Sequence, residues 1–352
     1  MSAELYPFAL EPKERELIWG GTALVSRYGK HADPAARIGE SWECYDGNAV
    51  RNGPLAGATL ADLRTRLGAH LMGGADPLAE FPLLTKFIDA RAALSVQVHP
   101  GDAYARRVEH QPNGKTECWV VLEAEPGAEI VLGWNRATNR AEYLERVREG
   151  SLDDVLRRVP ARAGDAFYLP AGTLHAIGAG IVLFETQQTS DLTYRIYDYG
   201  RTDAAGKTRE LHVDKAADVL AYERSDAAAL RALPYELDGL RRSVLVADAN
   251  FVVERIEVNE RRAGLDLDGM PLVVQALGDP VELEARGESV RLAPYETAVV
   301  PAALDVVMVR AANGGSGSML VAAPPRDAYA LERRLGRAGV AETASTAFFA
   351  QF

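Results

Sequence analysis

The feature that most constrains this chain is a long succession of short, β-rich segments separated by glycine and proline turns. Runs rich in β-branched and aromatic residues cover 94–99, 118–122, 130–134, 166–169 and 181–186, and after Pro234 they cover 243–246, 251–258, 272–276, 281–285, 297–300, 306–309 and 319–322. Many short strands joined by such turns favour a barrel or a double-sheet jelly roll over an alternating α/β fold. The sequence therefore predicts a mainly β protein.

Helical spacing is confined to a few short stretches. In 59–72, leucines three or four residues apart follow Thr59, a candidate N-cap, and the pattern of 141–159 predicts two short helices. A polar, alanine-rich stretch at 224–233 marks a domain boundary. We expect a first domain at 1–233 with a small helical portion inserted in it, a second β domain at 234–325 and a C-terminal tail at 326–352.

Charge and cysteine content narrow the function classes. The chain has 39 Lys and Arg against 50 Asp and Glu, a formal charge of −11, which argues against a generic nucleic-acid binder. No apolar run approaches the roughly 20 residues needed to cross a bilayer, and the start of the sequence lacks an export pattern. Cys44 and Cys118 are interpreted as buried apolar residues. These features predict a cytoplasmic protein, a monomer or weak homo-oligomer, with no nucleic-acid or membrane partner.

Two histidines, His99 and His175, stand inside strand-like segments beside other metal-capable side chains. Strand alternation places Gln97 and His99 on one face, and it places Lys115 beside Glu117 at the start of the next strand. Each histidine alone is more often an ordinary core or surface residue than a ligand. Together, two His, one Glu and one Gln at inward-facing positions form a set of nitrogen and oxygen donors suited to a divalent metal such as zinc.

The segment GDAFYLPAGTLH at 164–175 has a glycine, a proline, a second glycine and a histidine at distinctive spacing. It resembles the second signature of the cupin jelly rolls, in which the Pro and Gly turn the chain between two strands and the His points into the barrel. Residues 291–305 echo the pattern of 162–174 without a histidine. The resemblance implies two cupin-type jelly-roll barrels, of which the second lacks metal ligands.

Longer strings narrow the resemblance to one family. The strings are LIWGG at 17–21, IGESWE at 38–43, FPLLTKFIDA at 81–90, LSVQVHP at 94–100, GKTECW at 114–119, AGTLHAI at 171–177 and SDLTYRIY at 190–197. They are similar to type I mannose-6-phosphate isomerases (phosphomannose isomerases) in their shorter bacterial form, strongly over residues 5–215 and weakly beyond. The resemblance implies one Zn²⁺ per chain, bound by Gln97, His99, Glu117 and His175, the same set that strand alternation indicates.

The implied reaction interconverts mannose 6-phosphate and fructose 6-phosphate by proton transfer through a cis-enediol. The catalytic arginine of the family corresponds to Arg195, its other acid/base residue to Lys115, and an acidic residue to Asp191. For Arg195 the alternative is a structural salt bridge with Asp191 or Asp198.

Binding of a doubly negative phosphate requires local positive charge on an acidic chain. The candidates for binding the phosphate are Lys86 and Arg201, in addition to Lys115 and Arg195. Trp19 and Ser95 are candidate residues of the substrate-site lining. Lys86 follows an apolar run, where an unpaired buried ammonium would be costly, so we expect it to face a cavity.

Two other functions compete with the isomerase. An iron-dependent cupin dioxygenase would use two His and a carboxylate with open coordination positions. Gln97 and the basic residues suited to a phosphate argue against it. A non-catalytic sugar-binding cupin would be expected to lose Lys115 or Arg195, and both are present.

Overall fold

The structure is a computed structural model that describes residues 5–30, 33–76, 79–202 and 205–352. Its strands are β1 (Phe8–Ala9), β2 (Lys13–Gly21), β3 (Ile38–Cys44), β4 (Leu83–Ala90), β5 (Val96–Val98), β6 (Glu117–Ala124), β7 (Glu129–Trp134), β8 (Leu156–Pro160), β9 (Ala166–Leu169), β10 (His175–Ile177), β11 (Ile181–Gln188), β12 (Tyr194–Tyr197), β13 (Leu233–Leu237), β14 (Leu240–Ala247), β15 (Val252–Asn259), β16 (Ala263–Asp266), β17 (Leu272–Leu277), β18 (Val281–Ala285), β19 (Glu288–Leu292), β20 (Thr297–Val300), β21 (Val306–Ala311) and β22 (Ser316–Ala323). The prediction of a mainly β protein is confirmed.

The helices are short and lie between or after the strands. They are α1 (Ala23–Ser26), α2 (Leu60–Leu67), α3 (Ala69–Met72), α4 (Asp102–Tyr104), α5 (Arg140–Glu149), α6 (Val213–Val219), α7 (Ala330–Arg337) and α8 (Glu342–Phe349). The side chain of Thr59 accepts the Asp62 N–H and caps α2. The helical stretch predicted at 59–72 is broken at Gly68, which has φ 51° and separates α2 from α3. None of the described helices is long and apolar enough to cross a membrane.

The strands form four sheets in which all pairings between named strands are antiparallel. The orders are β2-β3-β4-β11-β6-β9, β12-β5-β10-β7-β8, β1-β20-β17-β22-β15-β14-β13 and β16-β21-β18-β19. We call them the six-, five-, seven- and four-stranded sheets. The six- and five-stranded sheets enclose one apolar core, which includes Trp19, Trp119, Leu132 and Ile177. The seven- and four-stranded sheets share a second core.

The six-stranded sheet is buried on both faces. Adjacent residues of β11 belong to different cores, because Leu183 packs in the core shared with the five-stranded sheet and Phe184 packs with the seven-stranded sheet. All eight residues of β4 and all eight of β11 are buried as a result. Polar side chains in these strands must therefore find partners inside the protein.

Buried polar contacts connect the two halves of the chain. Lys30 Nζ lies 2.7 Å from Glu43 Oε1 and donates to the carbonyl of Tyr295 at 2.7 Å. Thr297 Oγ1 donates to Glu43 Oε2 at 3.1 Å, and Ser41 Oγ donates to Glu43 Oε1 at 2.6 Å. The strand β1 also crosses between the halves, since it pairs with β20 of the seven-stranded sheet.

The end of the chain packs on the body of the protein. Phe348 is buried in a cluster with residues of β13, β14 and α7. The side chain of Gln351 accepts the N–H of Arg231 and donates to its carbonyl. Cys44 and Cys118 are both buried and unbridged.

Candidate active site

Two sheets bring the predicted ligands together. In the five-stranded sheet Gln97 of β5 lies directly opposite His175 of β10, and His99 follows β5. Glu117 is the first residue of β6 in the six-stranded sheet. Its Oε2 lies 3.5 Å from His99 Nε2, and its Oε1 lies 3.4 Å from His175 Nε2. His99, Glu117 and His175 are buried and could hold a metal ion.

The orientation of both imidazoles is set by backbone carbonyls. His99 Nδ1 lies 2.8 Å from the carbonyl oxygen of Leu192, and His175 Nδ1 lies 2.8 Å from that of Thr173. A carbonyl only accepts, so each Nδ1 carries the proton and each Nε2 presents a lone pair toward Glu117. The turn at Gly172, with φ 89°, places the Thr173 carbonyl behind the His175 ring.

The electrostatics of this cluster suit a cation. Burial, reinforced by Lys115, holds the pKa of His99 well below its ordinary value, and burial lowers the pKa of His175 as well. Burial opposes the charge on Glu117, but the Lys115 ammonium outweighs it and lowers the pKa of that carboxyl. The neutral rings and the carboxylate are the ligating forms.

The donor set also passes a test of fit. Among the described residues, neither carboxylate oxygen of Glu117 accepts a hydrogen bond of good geometry, although Lys115 Nζ lies 2.8 Å from Oε2. Lys115 Nζ also lies 3.2 Å from His99 Nε2, but the lone pair of His175 Nε2 faces Glu117 Oε1 at 3.4 Å, an arrangement that repels unless a cation lies between the two atoms. The amide of Gln97 reaches the same point, with Nε2 3.3 Å from His175 Nε2. His99, Glu117 and His175 therefore fit a divalent metal as they stand, whereas Gln97 would become a fourth ligand only with its amide oxygen in the place of this nitrogen.

Lys115 and Lys86 are each balanced by a glutamate. Lys115 Nζ lies 3.9 Å from Glu185 Oε1, in addition to its contact with Glu117. Glu185 is opposite Lys86 in the β11–β4 register and lies 2.9 Å from its Nζ, and its other oxygen accepts the indole N–H of Trp119 at 2.7 Å. Burial opposes the charge of Lys86, but Glu185 and other carboxylates raise its pKa above the ordinary value.

Gln97 and Lys115, which contact this buried cluster, line a cavity of about 290 Å³, whereas His99, Glu117 and His175 are not among its lining residues. The sequence-predicted residues that line it are Trp19, Lys86, Ser95, Gln97, Lys115, Asp191 and Arg195. The other charged or hydrogen-bonding residues of the lining, which sequence reasoning missed, are Arg15, Glu40, Trp119, Glu185, Thr193, Arg209 and His212. Five cationic side chains face three acidic ones in this lining, although the whole chain carries a charge of −11.

Arg195 is positioned by β12, where it lies opposite Gln97 in the register. Its Nη1 donates to the carbonyl of Glu210 at 3.0 Å, and its buried Nε has no hydrogen-bond partner among the described residues. Burial and the nearby Arg209 lower the pKa of Arg195 from its ordinary value. In the part of the chain that the structure describes, Arg195 forms no salt bridge with an acidic side chain, so the alternative role in a structural ion pair is not observed.

Arg201 is not among the described residues that line the cavity. Its Nη2 lies 2.5 Å from Asp198 Oδ1, and its Nη1 donates to the carbonyl of Ala93. The same carboxylate binds Arg209, whose Nε donates to Asp198 Oδ2 at 2.8 Å. Arg209 thus lines the cavity where Arg201 was expected. The sequence of 198–212 has no strand periodicity, so it does not indicate that Arg209, and not Arg201, lines the cavity.

Comparisons with known proteins agree with this site. The family described as "Phosphomannose isomerase type I, catalytic domain" matches residues 8–120. The chain is 47% identical over 218 residues to Mannose-6-phosphate isomerase ManA of Bacillus subtilis, a match that covers 61% of this chain and 68% of the relative. It is 40% identical over 258 residues to the mannose-6-phosphate isomerase of Streptococcus mutans, over 72% of this chain and 79% of the relative.

A solved structure extends the similarity to nearly the whole fold. The crystal structure of the mannose 6-phosphate isomerase from Bacillus subtilis superposes with a TM-score of 0.81 at 32% identity. The match covers 90% of this chain and 99% of that structure.

Proposed function

The chain belongs to the type I phosphomannose isomerase family, so it is an isomerase of mannose 6-phosphate, and we propose that interconversion with fructose 6-phosphate takes place in the cavity beside His99, Glu117 and His175. The observation that carries this proposal is that Gln97 and Lys115, which contact the buried metal-capable cluster, also line a cavity with an excess of cationic side chains. A sugar phosphate needs both, because the reacting carbons and the phosphate lie at opposite ends of the molecule.

We propose that Gln97, His99, Glu117 and His175 hold one Zn²⁺ per chain. The mixed nitrogen and oxygen donors, the neutral imidazoles and the carboxylate without good hydrogen bonds support this assignment. When bound, zinc would supply positive charge and Lewis acidity to an oxygen of the sugar.

The protein's own residues account for the remaining steps. Isomerisation moves a proton between C2 and C1 and passes through a cis-enediol, whose oxygens carry developing negative charge. Arg195 is proposed to stabilise that charge, since among the described residues its buried Nε has no hydrogen-bond partner and its guanidinium no carboxylate partner. Lys115 and Asp191 are proposed to move protons between the oxygens and carbons, because both line the cavity and both side chains can exchange protons.

Substrate binding is proposed for Trp19, Lys86 and Ser95, which line the same cavity. The role expected for Arg201 is proposed for Arg209 instead. Arg201 would then act indirectly, by sharing the Asp198 carboxylate that orients Arg209.

The architecture supports a domain assignment that we also propose. The six- and five-stranded sheets would form a first cupin-type jelly roll within 1–233, and the seven- and four-stranded sheets a second within 234–325, with 326–352 as a tail. The core between the six- and five-stranded sheets supports this division, whereas the core of the seven- and four-stranded sheets also takes in one face of the six-stranded sheet, and β1 pairs across the boundary. Two buried, unbridged cysteines are consistent with the proposed cytoplasmic location.

The test is conversion of mannose 6-phosphate to fructose 6-phosphate by the purified protein as isolated, after chelation, and after zinc is restored. We expect activity that disappears with the chelator and returns with zinc. Absence of turnover in a fully metallated sample would contradict the proposed function. Recovery with Fe²⁺ and not with Zn²⁺ would contradict the metal assignment alone.

A further inference from the structure

His212 lines the cavity, and none of the roles proposed above uses it. It occupies the N-cap position of α6 and belongs to the same cavity wall as Arg195 and Arg209. The backbone N–H of His212 donates to the carbonyl of Arg195 at 2.7 Å. His212 is therefore attached directly to the strand residue that carries the proposed catalytic guanidinium.

A second hydrogen bond determines which ring nitrogen of His212 carries the proton. The backbone N–H of Arg195 donates to His212 Nδ1 at 3.3 Å. Because Nδ1 accepts this bond, the proton of the neutral ring is on Nε2. Burial, Arg195 and Lys215 disfavour a second proton more than Glu210 and Glu109 favour it, so the pKa of His212 is lowered.

The Nε2–H of His212 is available to a ligand. The acidic group nearest to it is Glu210 Oε2 at 3.9 Å, which is beyond hydrogen-bond distance. The side chain is about one quarter exposed, at the cavity. A neutral ring fixed through Nδ1 thus presents a donor to whatever binds there.

This wall also carries the positive charge that is not balanced. The lysines near the metal-capable cluster each have a glutamate partner, as described above. In contrast, Asp198 is shared by two arginines, Arg201 and Arg209, and Arg195 has no carboxylate partner among the described residues. The Asp198 carboxylate therefore balances only one of Arg201 and Arg209, and an arginine beside a neutral N–H donor matches a charged phosphoryl group better than a sugar hydroxyl.

We propose that His212 is a substrate-binding residue whose Nε2–H donates a hydrogen bond to a phosphoryl oxygen of the sugar phosphate, beside Arg209. This inference rests on the proposed function, because it assigns one end of the same substrate. The bond from the Arg195 N–H keeps the ring in the tautomer that can donate.

Two amide replacements separate the functions of the two ring nitrogens. In His212→Asn, the amide oxygen takes the place of Nδ1 and keeps the acceptor for Arg195, but the donor at Nε2 is lost. In His212→Gln, a donor remains near the position of Nε2. His70→Asn is the matched control, because His70 is an exposed histidine of α3 outside the cavity lining.

The measurements are the Kd of inorganic phosphate by calorimetry on the zinc-loaded protein, and the KM and kcat for mannose 6-phosphate. We expect His212→Asn to weaken phosphate binding and raise KM about 10-fold or more, as for loss of a hydrogen bond to a charged group, with kcat within about 3-fold. His212→Gln should recover part of the loss, and His70→Asn should match the wild type.

The outcomes distinguish this inference from the proposed function. A wild type that isomerises mannose 6-phosphate, with unchanged phosphate Kd and KM in His212→Asn, would overturn the role of His212. A fall in kcat with unchanged phosphate affinity would overturn it too, because it would indicate a purely structural role. Weaker phosphate binding in His212→Asn, in a protein that does not isomerise mannose 6-phosphate, would support the phosphate contact and refute the proposed function.

Discussion

Replacing Arg195 by alanine should remove most of the turnover while leaving the metal and the fold in place. In the folded protein its guanidinium makes one hydrogen bond, to the carbonyl of Glu210, and no ion pair within the described residues. Loss of that bond costs about 1 kcal/mol of stability. Removal of a preorganised donor from a developing oxyanion costs about 3–4 kcal/mol in the transition state, a fall in kcat of about 10²–10³.

His175→Ala provides the contrasting case. His175 Nε2 is one of three converging ligand atoms, with the ring fixed by the Thr173 carbonyl. Its removal should lower the metal content well below one ion per chain, and activity should fall with it. Arg195→Lys is the control that keeps a positive charge without the planar fork, and it should retain part of the activity lost in Arg195→Ala.

The assay combines kcat and KM for mannose 6-phosphate with elemental analysis of dialysed protein and a thermal unfolding curve. The reasoning would be refuted if Arg195→Ala lost its metal, or if its kcat fell by less than about 10-fold at full metal content. Either result would mean that the guanidinium does not act on the reacting oxygens.

The remaining predictions concern stability and substrate binding. Lys30→Met leaves the buried Glu43 carboxylate without its cation, which should lower the free energy of unfolding by about 3–5 kcal/mol and the Tm by about 4–7 °C. An unchanged thermal unfolding curve would contradict this prediction. The further change Glu43→Gln should recover part of the lost stability. Thr59→Ala removes the cap of α2 and should cost about 1 kcal/mol in urea unfolding, whereas Thr59→Ser should be close to neutral. Asp198→Asn should raise the KM for mannose 6-phosphate several-fold through misorientation of Arg209, and a loss confined to kcat would argue against that role.

The metal-capable cluster could be predicted from the sequence because its members follow strand alternation. Gln97 and His99 stand two residues apart on one face, and the turn at Gly172 carries a recognisable spacing up to His175. Glu185 could not be found in this way. It lies in a strand that is buried on both faces, where alternation does not distinguish a cavity-facing residue from a core residue.

The arginines of the opposite wall show a different limit. Arg201 is a sequence-based candidate for the site because a phosphate requires cationic side chains. The chain instead reverses at Tyr199 and Gly200, which both have positive φ values, 57° and 64°, and Asp198 holds Arg201 outside the lining. Arg209 lines the cavity from residues 205–212, which belong to none of the helices and strands named above. Such placement depends on how one loop carboxylate, Asp198, binds the arginines three and eleven residues after it, which no periodic pattern records.

The pairing of β1 with β20 has a consequence for the order in which the protein is made. Phe8 lies opposite Val299, so about 290 residues separate the two partners. At a synthesis rate of about 5–20 residues per second, β1 waits roughly 15–60 seconds on the ribosome for its sheet. The strands that supply the metal-capable cluster are all complete by then, since β12 ends at Tyr197. Among the described strands β1 is thus one of the last to reach its place, and it adds the edge of the seven-stranded sheet only after the site has been translated.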